Sequence, residues 1–360
     1  MVAMIVAVAL LVPATVACLA YLVPTLAGLL PRRRAVVVPT SGFAILIPAH
    51  DEETTLPATL ATLAALNYDP ALVRVYVVAD NCTDDTAAVA RKAGAICLIR
   101  TDPTRRGKGY AVAFGLERIR RTSFNVLLVL DADCHLNPDA LCELDAVFSQ
   151  GADTVQCSVR SRNADAGPGG YVAAVGAAVD EVVAAGWDRL GRSVPLRGTG
   201  MAIRFSVLDR VPWVAFGAAE DAEYTRQLRA TGVRIRHASG AIVSCDAPSR
   251  TPDLYQQRRR WRAAGVLASK PLVLGWLLLT LLVAVPAGFV VWPLVLASLT
   301  CAVYLRATLT VGITAHRLGL LLRSPVVVAR LGWLAVAGLF QTPPTTWDRT
   351  PRPLEERRAA

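Results

Sequence analysis

None of the eight cysteines in this 360-residue chain stands in a CxxC pair or at zinc-ligand spacing. A disulfide framework is not expected in a chain of this length, so the cysteines read as mostly reduced, small hydrophobes, buried on the cytosolic side or in a membrane. The basic residues form no continuous stripe with interleaved aromatics, and the net charge of +10 therefore does not point to nucleic acid. No Walker A spacing is present either, since Gly107-Lys108-Gly109 lacks both the glycine pattern and a following Ser or Thr. The apolar ends contain no acidic residue, which speaks against a transporter.

Apolar residues, by contrast, are abundant. They make up 54% of the chain, mean hydropathy is +0.42, and the excess sits at the two ends. Val2 to Leu30 is nearly all apolar and is followed by Arg32-Arg33-Arg34, which predicts a transmembrane helix with its C-terminal end in the cytosol. Pro271 to Leu305 holds no charge and is too long for one crossing, so a hairpin turning near Pro286 and Gly288 is expected. Residues 306–341 are apolar but interrupted by Arg317, Arg323 and Arg330, which suits an interfacial helix as well as a span. The expected plan is a membrane helix with basic flank at 1–34, a cytosolic catalytic domain at 42–249 and an interfacial segment at 250–270. A membrane hairpin at 271–305, the segment 306–341 and a cytosolic tail at 342–360 complete it.

Between the ends, strand-like runs close on acidic clusters: Ile45 to Glu53, Val75 to Asn81 and Val126 to Asp133. Helical stretches alternate with them, which predicts an α/β domain with a mainly parallel sheet and ligands at the carboxyl ends of its strands. Asp131 and Asp133 flank Ala132 in an extended run, so both carboxylates share one face. They can converge on one divalent cation, or on a cation and a ribose. Hard oxygen donors without a His/Cys set favour Mg²⁺ or Mn²⁺ over zinc. A solvated turn is the plainer reading of such a pair, but the preceding buried strand weighs against it.

Lys108 lies between two glycines and follows Arg105-Arg106, a pattern suited to phosphate but also to a basic surface turn. Glu220-Asp221 opens an amphipathic helix, where first-turn acids are often only partners of the helix dipole. Gln257 to Trp261 precedes the C-terminal apolar block and by itself suits an interfacial anchor.

In combination and in this order, Asp80, Asp131-Ala132-Asp133, Glu220-Asp221 and Gln257-Arg258-Arg259-Arg260-Trp261 resemble the membrane-bound family 2 glycosyltransferases, the group of cellulose, chitin, hyaluronan and poly-N-acetylglucosamine synthases and ceramide glucosyltransferase. The resemblance spans about Gly42 to Trp261. It implies a GT-A-like nucleotide-sugar-binding domain flanked by transmembrane helices. Pro48, Ala49, Glu52 and Asp80 would hold uridine, and Lys108 would lie beside the nucleotide. Asp131 and Asp133 would bind the nucleotide sugar, Asp133 chiefly through the metal. Gly198, Thr199 and Gly200 would border the acceptor site beside Glu220, and Asp221 would be the general base. Gln257, Arg260 and Trp261 would close over the diphosphate and the acceptor end.

The activity so implied is inverting transfer from a UDP-sugar to a lipid or oligosaccharide acceptor, in a bacterial plasma membrane, with glucose or N-acetylglucosamine as first candidates. Two departures from the group stand out. Ala219 precedes Glu220 where many relatives carry Thr, and roughly three spans could hardly line a channel for a long polymer. An export partner is compatible with that small membrane portion. The competing reading is a non-catalytic subunit that binds nucleotide sugar and docks a synthase or exporter.

Overall fold

The computed structural model describes residues 2–30, 40–120, 122–248, 252–255, 257 and 270–337. Along the chain its elements run α1 (Val2–Leu29), β1 (Phe43–Ala49), α2 (Leu56–Ala64), β2 (Val73–Asp80), α3 (Thr86–Lys92), β3 (Ile96–Arg100), α4 (Lys108–Ile119), β4 (Val126–Val129) and β5 (His135–Leu136). There follow α5 (Ala140–Phe148), β6 (Thr154–Ser161), α6 (Pro168–Arg189), β7 (Met201–Arg204), α7 (Phe205–Arg210), α8 (Glu220–Ala230) and β8 (Ile235–Cys245). The last three are α9 (Lys270–Ala284), α10 (Val291–Val311) and α11 (Ala315–Ala337). The described residues fall into two compact units, one drawn from 1–31, 163–190 and 247–344, the other from 32–162 and 191–246.

The second unit is built on an eight-stranded sheet of order β3-β2-β1-β4-β7-β6-β8-β5. β3, β2, β1 and β4 are mutually parallel, β7 opposes β4 and β6, and β8 runs with β6 but against β5. Six strands therefore share a direction, as the alternating pattern predicts. β1 and β4 are buried because their runs are apolar on both faces, which a strand can satisfy only in the middle of a covered sheet. Phe43, Ile45, Ile47, Val126 and Leu128 pack with Leu56 and Leu60 of α2 and with Leu141, Leu144 and Phe148 of α5. Each such side chain contributes about 1.5–3 kcal/mol by leaving water. On the other face, Leu46 and Val78 receive α4 at Gly115, where a Cβ would come within 2.6 Å of a Leu46 methyl carbon.

The entrance to β1 is held by Asp145, which is buried. Its Oδ2 accepts the Thr40 amide at 2.7 Å and the Tyr68 hydroxyl at 3.1 Å. Beyond the expected strands, β5 pairs with β8 so that His135 faces Ser244. Cys134 and Cys245 are thus the next opposed positions on that ladder. Their Cα atoms are 4.6 Å apart and they form a disulfide. A pairing across 111 residues has no local sequence signal, which is why spacing did not reveal it. The other six cysteines form no disulfide.

In the first unit, α9 leads into α10 through a turn that has Gly288 at φ +92°. Among the described residues, four helices are long and apolar enough to cross a membrane, namely α1 from Met4, α6, α10 and α11, while α9 offers the shorter stretch Val273–Ala284. α6 lies inside the stretch expected for the catalytic domain, yet it packs on α1, α10 and α11. Its composition hides this, because Asp180, Glu181 and Asp188 dilute the apolar signal. Asp180 accepts an ion pair from Lys270 Nζ at 2.7 Å. α1 and α6 cross at backbone distance: a Cβ on Gly28 would overlap the Val182 carbonyl oxygen, and one on Gly186 that of Pro24. Only glycine fits such a crossing.

Gly115→Val forces new methyl groups between Leu46 and Val78. It is expected to cost about 1–3 kcal/mol and to lower the thermal midpoint of the detergent-solubilised protein. Gly275→Ala in α9, where an added Cβ meets nothing within 4 Å, should leave the midpoint unchanged.

Candidate active site

Parallel order brings the ends of β1, β2 and β4 to one edge of the sheet. β7 opposes β4, so the residues that lead into it, Gly198 to Gly200, arrive at the same edge. This is how residues scattered from 48 to 221 become neighbours.

At the end of β4, the Asp131 amide donates to the Thr199 hydroxyl at 3.1 Å, and the Ala132 carbonyl accepts from Thr59 at 2.8 Å. Asp131 and Asp133 are half-buried, and their donor atoms lie with the Cys134 sulfur within 4.8 Å of one another. Since that sulfur is committed to the disulfide, the pair of carboxylates is the usable donor set. Two hard oxygen ligands on alternate positions fit Mg²⁺ or Mn²⁺.

Lys108 opens α4 and turns its ammonium inward. Nζ donates to Asp131 Oδ1 and, at 2.9 Å, to the Gly198 carbonyl, and it lies 3.6 Å from Glu220 Oε1. Burial pushes the ammonium pKa down, but Asp131 and Glu220 outweigh burial and hold it well above the usual lysine value. Gly198, at φ +79°, lies within reach of all of these groups. A Cβ there would sit 3.4 Å from Lys108 Nζ, 3.6 Å from Asp221 Oδ2 and 3.9 Å from Glu220 Oε1.

Glu220 and Asp221 occupy the first turn of α8. Burial raises the Glu220 carboxyl to about 7, with Lys108 opposing and the Asp221 charge adding to the rise. Burial raises Asp221 too, against the Ala222 amide that donates to its Oδ1 at 2.8 Å. The first turn of α8 is strapped to that of α4 by residues that local sequence reasoning missed. Trp213 Nε1 donates to the Gly109 carbonyl at 3.1 Å, Tyr224 packs on Trp213 with centroids 4.7 Å apart, and Tyr110 stacks on Phe216 at 4.5 Å.

Gln156, also missed, is buried in β6. Its Nε2 donates to the Thr199 carbonyl at 2.8 Å, and its Oε1 accepts the Arg197 amide at 2.9 Å, which fixes the turn before β7. Gly200, at φ +66°, leaves no room for a Cβ against Cys157 and Val243.

On the β1–β2 side, Pro48 and Ala49 end β1, and Glu52 is buried with its carboxylate on the Thr55 hydroxyl. Asp80 is 6% exposed and takes Arg100 Nη1 at 2.6 Å. Burial raises the Asp80 carboxyl, with Arg100 opposing. Arg100 was not singled out in the sequence. The register that sets Asp80 beside Arg100 on β3 is its only signal.

The structure therefore gathers Lys108, Asp131, Gly198, Glu220 and Asp221 into one cluster, with Thr199 bonded to it. Gln257 belongs to the other compact unit, and Arg260 and Trp261 lie outside the described residues.

In the unfolded chain Glu220 titrates near the ordinary glutamate value, whereas folding lifts it to about 7. Between those values the folded state holds the extra proton, so this contribution to stability is complete in acid and lost as pH rises to about 7. Glu220→Gln cannot titrate. The melting temperature of the wild type should therefore fall relative to this variant between about pH 5 and pH 8. A constant difference over that range would contradict the assignment.

The known proteins that this chain resembles are glycosyltransferases. An uncharacterised glycosyltransferase of Mycobacterium tuberculosis (strain H37Rv) is 36% identical over 111 residues, 31% of this chain and 45% of that protein. A probable glycosyltransferase of Bacillus subtilis (strain 168) is 26% identical over 236 residues, 60% of this chain and 53% of its own. The chain thus spans about half the length of these curated relatives. A mannosyltransferase from Pyrobaculum calidifontis, solved in complex with GDP-Man and Mn²⁺, superposes with a TM-score of 0.61 at 18% identity, over 94% of this chain and 99% of that one. At that identity the likeness speaks for the shared GT-A-like fold. The family described as Glycosyltransferase like family 2 matches residues 39–264, well over half of the sequence, and the chain belongs to that family.

Proposed function

We propose that the protein is a membrane-embedded, inverting glycosyltransferase of the membrane-bound branch. It moves a sugar from a UDP-sugar to a lipid or oligosaccharide acceptor at the cytosolic membrane face. The observation that carries this reading is the convergence of Lys108, Asp131, Glu220 and Asp221 about Gly198, at the sheet edge where β4 ends in Asp131 and Asp133. The mannosyltransferase of like fold was solved with a nucleotide sugar and Mn²⁺, which supports the donor class and a divalent cation. Arg32-Arg33-Arg34 after α1 supports the cytosolic placement of the catalytic segment.

Asp133, with Asp131 beside it, would hold Mg²⁺ or Mn²⁺, which supplies positive charge to a departing diphosphate. Lys108 adds a fixed cation beside the same group, already desolvated and oriented by Asp131 and the Gly198 carbonyl. Asp80, Glu52, Pro48 and Ala49 line the ends of β1 and β2 and would receive the nucleoside. Asp221 takes the proton of the acceptor hydroxyl. Burial raises its pKa, which improves a base working near neutral pH. Glu220, its carboxyl raised to about 7 by burial, carries less than a full charge near neutrality and so lightens the negative charge of the site. A single displacement from the face opposite the leaving group inverts the anomeric carbon, giving a β-linked product from an α-linked donor.

The few long apolar helices support a lipid or short-glycan acceptor over unaided export of a long polymer. A non-catalytic subunit is the weaker reading, because a decayed site would not keep a buried cation and four acids in mutual register.

Asp221→Asn should lower release of UDP from a UDP-sugar by at least ~10²-fold while leaving UDP binding by calorimetry intact; unchanged turnover would sink the base assignment. Asp133→Ala should abolish the response of turnover to added Mn²⁺ or Mg²⁺, and a preserved metal response would place the cation elsewhere. A panel of UDP- and GDP-sugars incubated with membranes, followed by mass spectrometry of extracted lipids and glycans, identifies donor and acceptor together.

A further inference from the structure

Besides the aspartate pair at the end of β4, the described residues hold one other group of donor side chains close enough for a cation: His50, Asp51 and Cys82. Their ligand atoms lie within 4.8 Å of one another. A tetrahedral zinc ion with bonds of about 2.0–2.3 Å separates its ligands by roughly 3.3–3.8 Å, so small side-chain rotations close the set. One nitrogen, one sulfur and one oxygen donor form a different class of site from the two carboxylates, suited to a borderline cation rather than to Mg²⁺.

What distinguishes this group from a chance cluster is the shell behind it. His50 Nδ1–H donates to the Asp80 carbonyl at 2.8 Å, which directs Nε2 toward Asp51, 3.8 Å from its Oδ2. Asp51 Oδ1 accepts the Thr83 amide at 2.7 Å, leaving Oδ2 turned to the histidine. Cys82 is half-buried, with its sulfur 3.5 Å from the Ala49 carbonyl. Metal-binding histidines and carboxylates are characteristically oriented by such outer hydrogen bonds. The backbone is committed as well. Asp51 and Asn81, each at φ +52°, are the only non-glycine residues with positive φ among those described; the first belongs to the group and the second precedes Cys82. Strain of this kind persists where the surroundings over-determine it, and it gathers at functional sites. The two loops are further laced by Glu52 N–H to Thr86 at 2.8 Å, Glu53 N–H to Asp84 at 3.0 Å and Asp85 N–H to Glu53 at 3.1 Å.

We propose that His50, Asp51 and Cys82 form a second cation site, for Zn²⁺ or a cation of like softness, that ties the loop after β1 to the loop after β2. Binding expels the Cys82 thiol proton to solvent and leaves a fourth coordination position for water. The site is a different donor set from the aspartate pair, next to Ala49 and Asp80, and its metal binding does not depend on the transferase reading.

The test is titration of the full-length protein in detergent with Co²⁺, a coloured stand-in for Zn²⁺. A thiolate-to-cobalt absorption band should appear, saturate near one equivalent and be displaced by Zn²⁺. Cys82→Ser should remove the band, His50→Ala should weaken Co²⁺ binding at least tenfold, and the Asp131→Asn/Asp133→Asn double variant should keep it. No thiolate band in the wild type, a band that survives Cys82→Ser, or one lost with the two aspartates would each overturn the proposal. Should Cys82→Ser fail to fold, the wild type still decides. Zn²⁺ must shield Cys82, but not Cys97 or Cys142, from alkylation as read by peptide mass spectrometry, and equal labelling of all three refutes the site.

Discussion

The second unit is organised around one buried ammonium. Lys108 touches Asp131, the Gly198 carbonyl and Glu220, which come from three separate parts of the chain. Carboxylates brought together out of water repel one another and pay a desolvation penalty, and only a cation among them makes such a cluster tolerable. The elements around it can be understood as means of holding that cation in place. Gly109 lets α4 start tight against the Ala215 carbonyl, and Trp213 and Tyr224 lock the start of α8 to the start of α4. Gln156 holds the strand entry that presents the Gly198 carbonyl. The charge balance at the sheet edge is therefore a property of the fold and not of any one loop.

A second ion pair does similar work on the neighbouring strands. Arg100, at the end of β3, reaches Asp80 at the end of β2 and also bonds Asp102 and the Arg105 carbonyl. It fixes the path of the chain toward Lys108. Charge-assisted bonds thus brace both the ends of β2 and β3 and the acid cluster around Lys108, as two separate groups.

Much of this was legible before the structure, and the limit has a physical cause. Unbroken apolar runs ending in acids could only be central strands with carboxylates at their mouths, so β1, β2 and β4 and residues 80, 131 and 133 follow from local pattern alone. Asp221 was visible at a helix start and Lys108 as a basic residue between two glycines, although nothing local brings them together; order along the chain and family likeness pointed to both. Pairings across the sheet were not legible. Cys134 with Cys245, Asp80 with Arg100 and the reach of Gln156 each depend on strand order, which periodicity does not encode. α6 escaped for another reason. Its three acids average away the apolar face that packs against α1, so a helix of the apolar unit read as part of the α/β segment.

The glycine crossing of α1 and α6 bears on how the protein is made. Gly28 and Gly186 are 158 residues apart (186 − 28), and at about 5–20 residues per second the ribosome needs on the order of 10–30 s to travel between them. Throughout that interval α1 is complete while the notch at Gly28 has nothing to fill it. A nascent helix with an open small-residue face is a natural client for insertion factors and a ready site for mispairing with other membrane helices. The place where these two backbones meet in the finished molecule stays uncovered until α6 has been made.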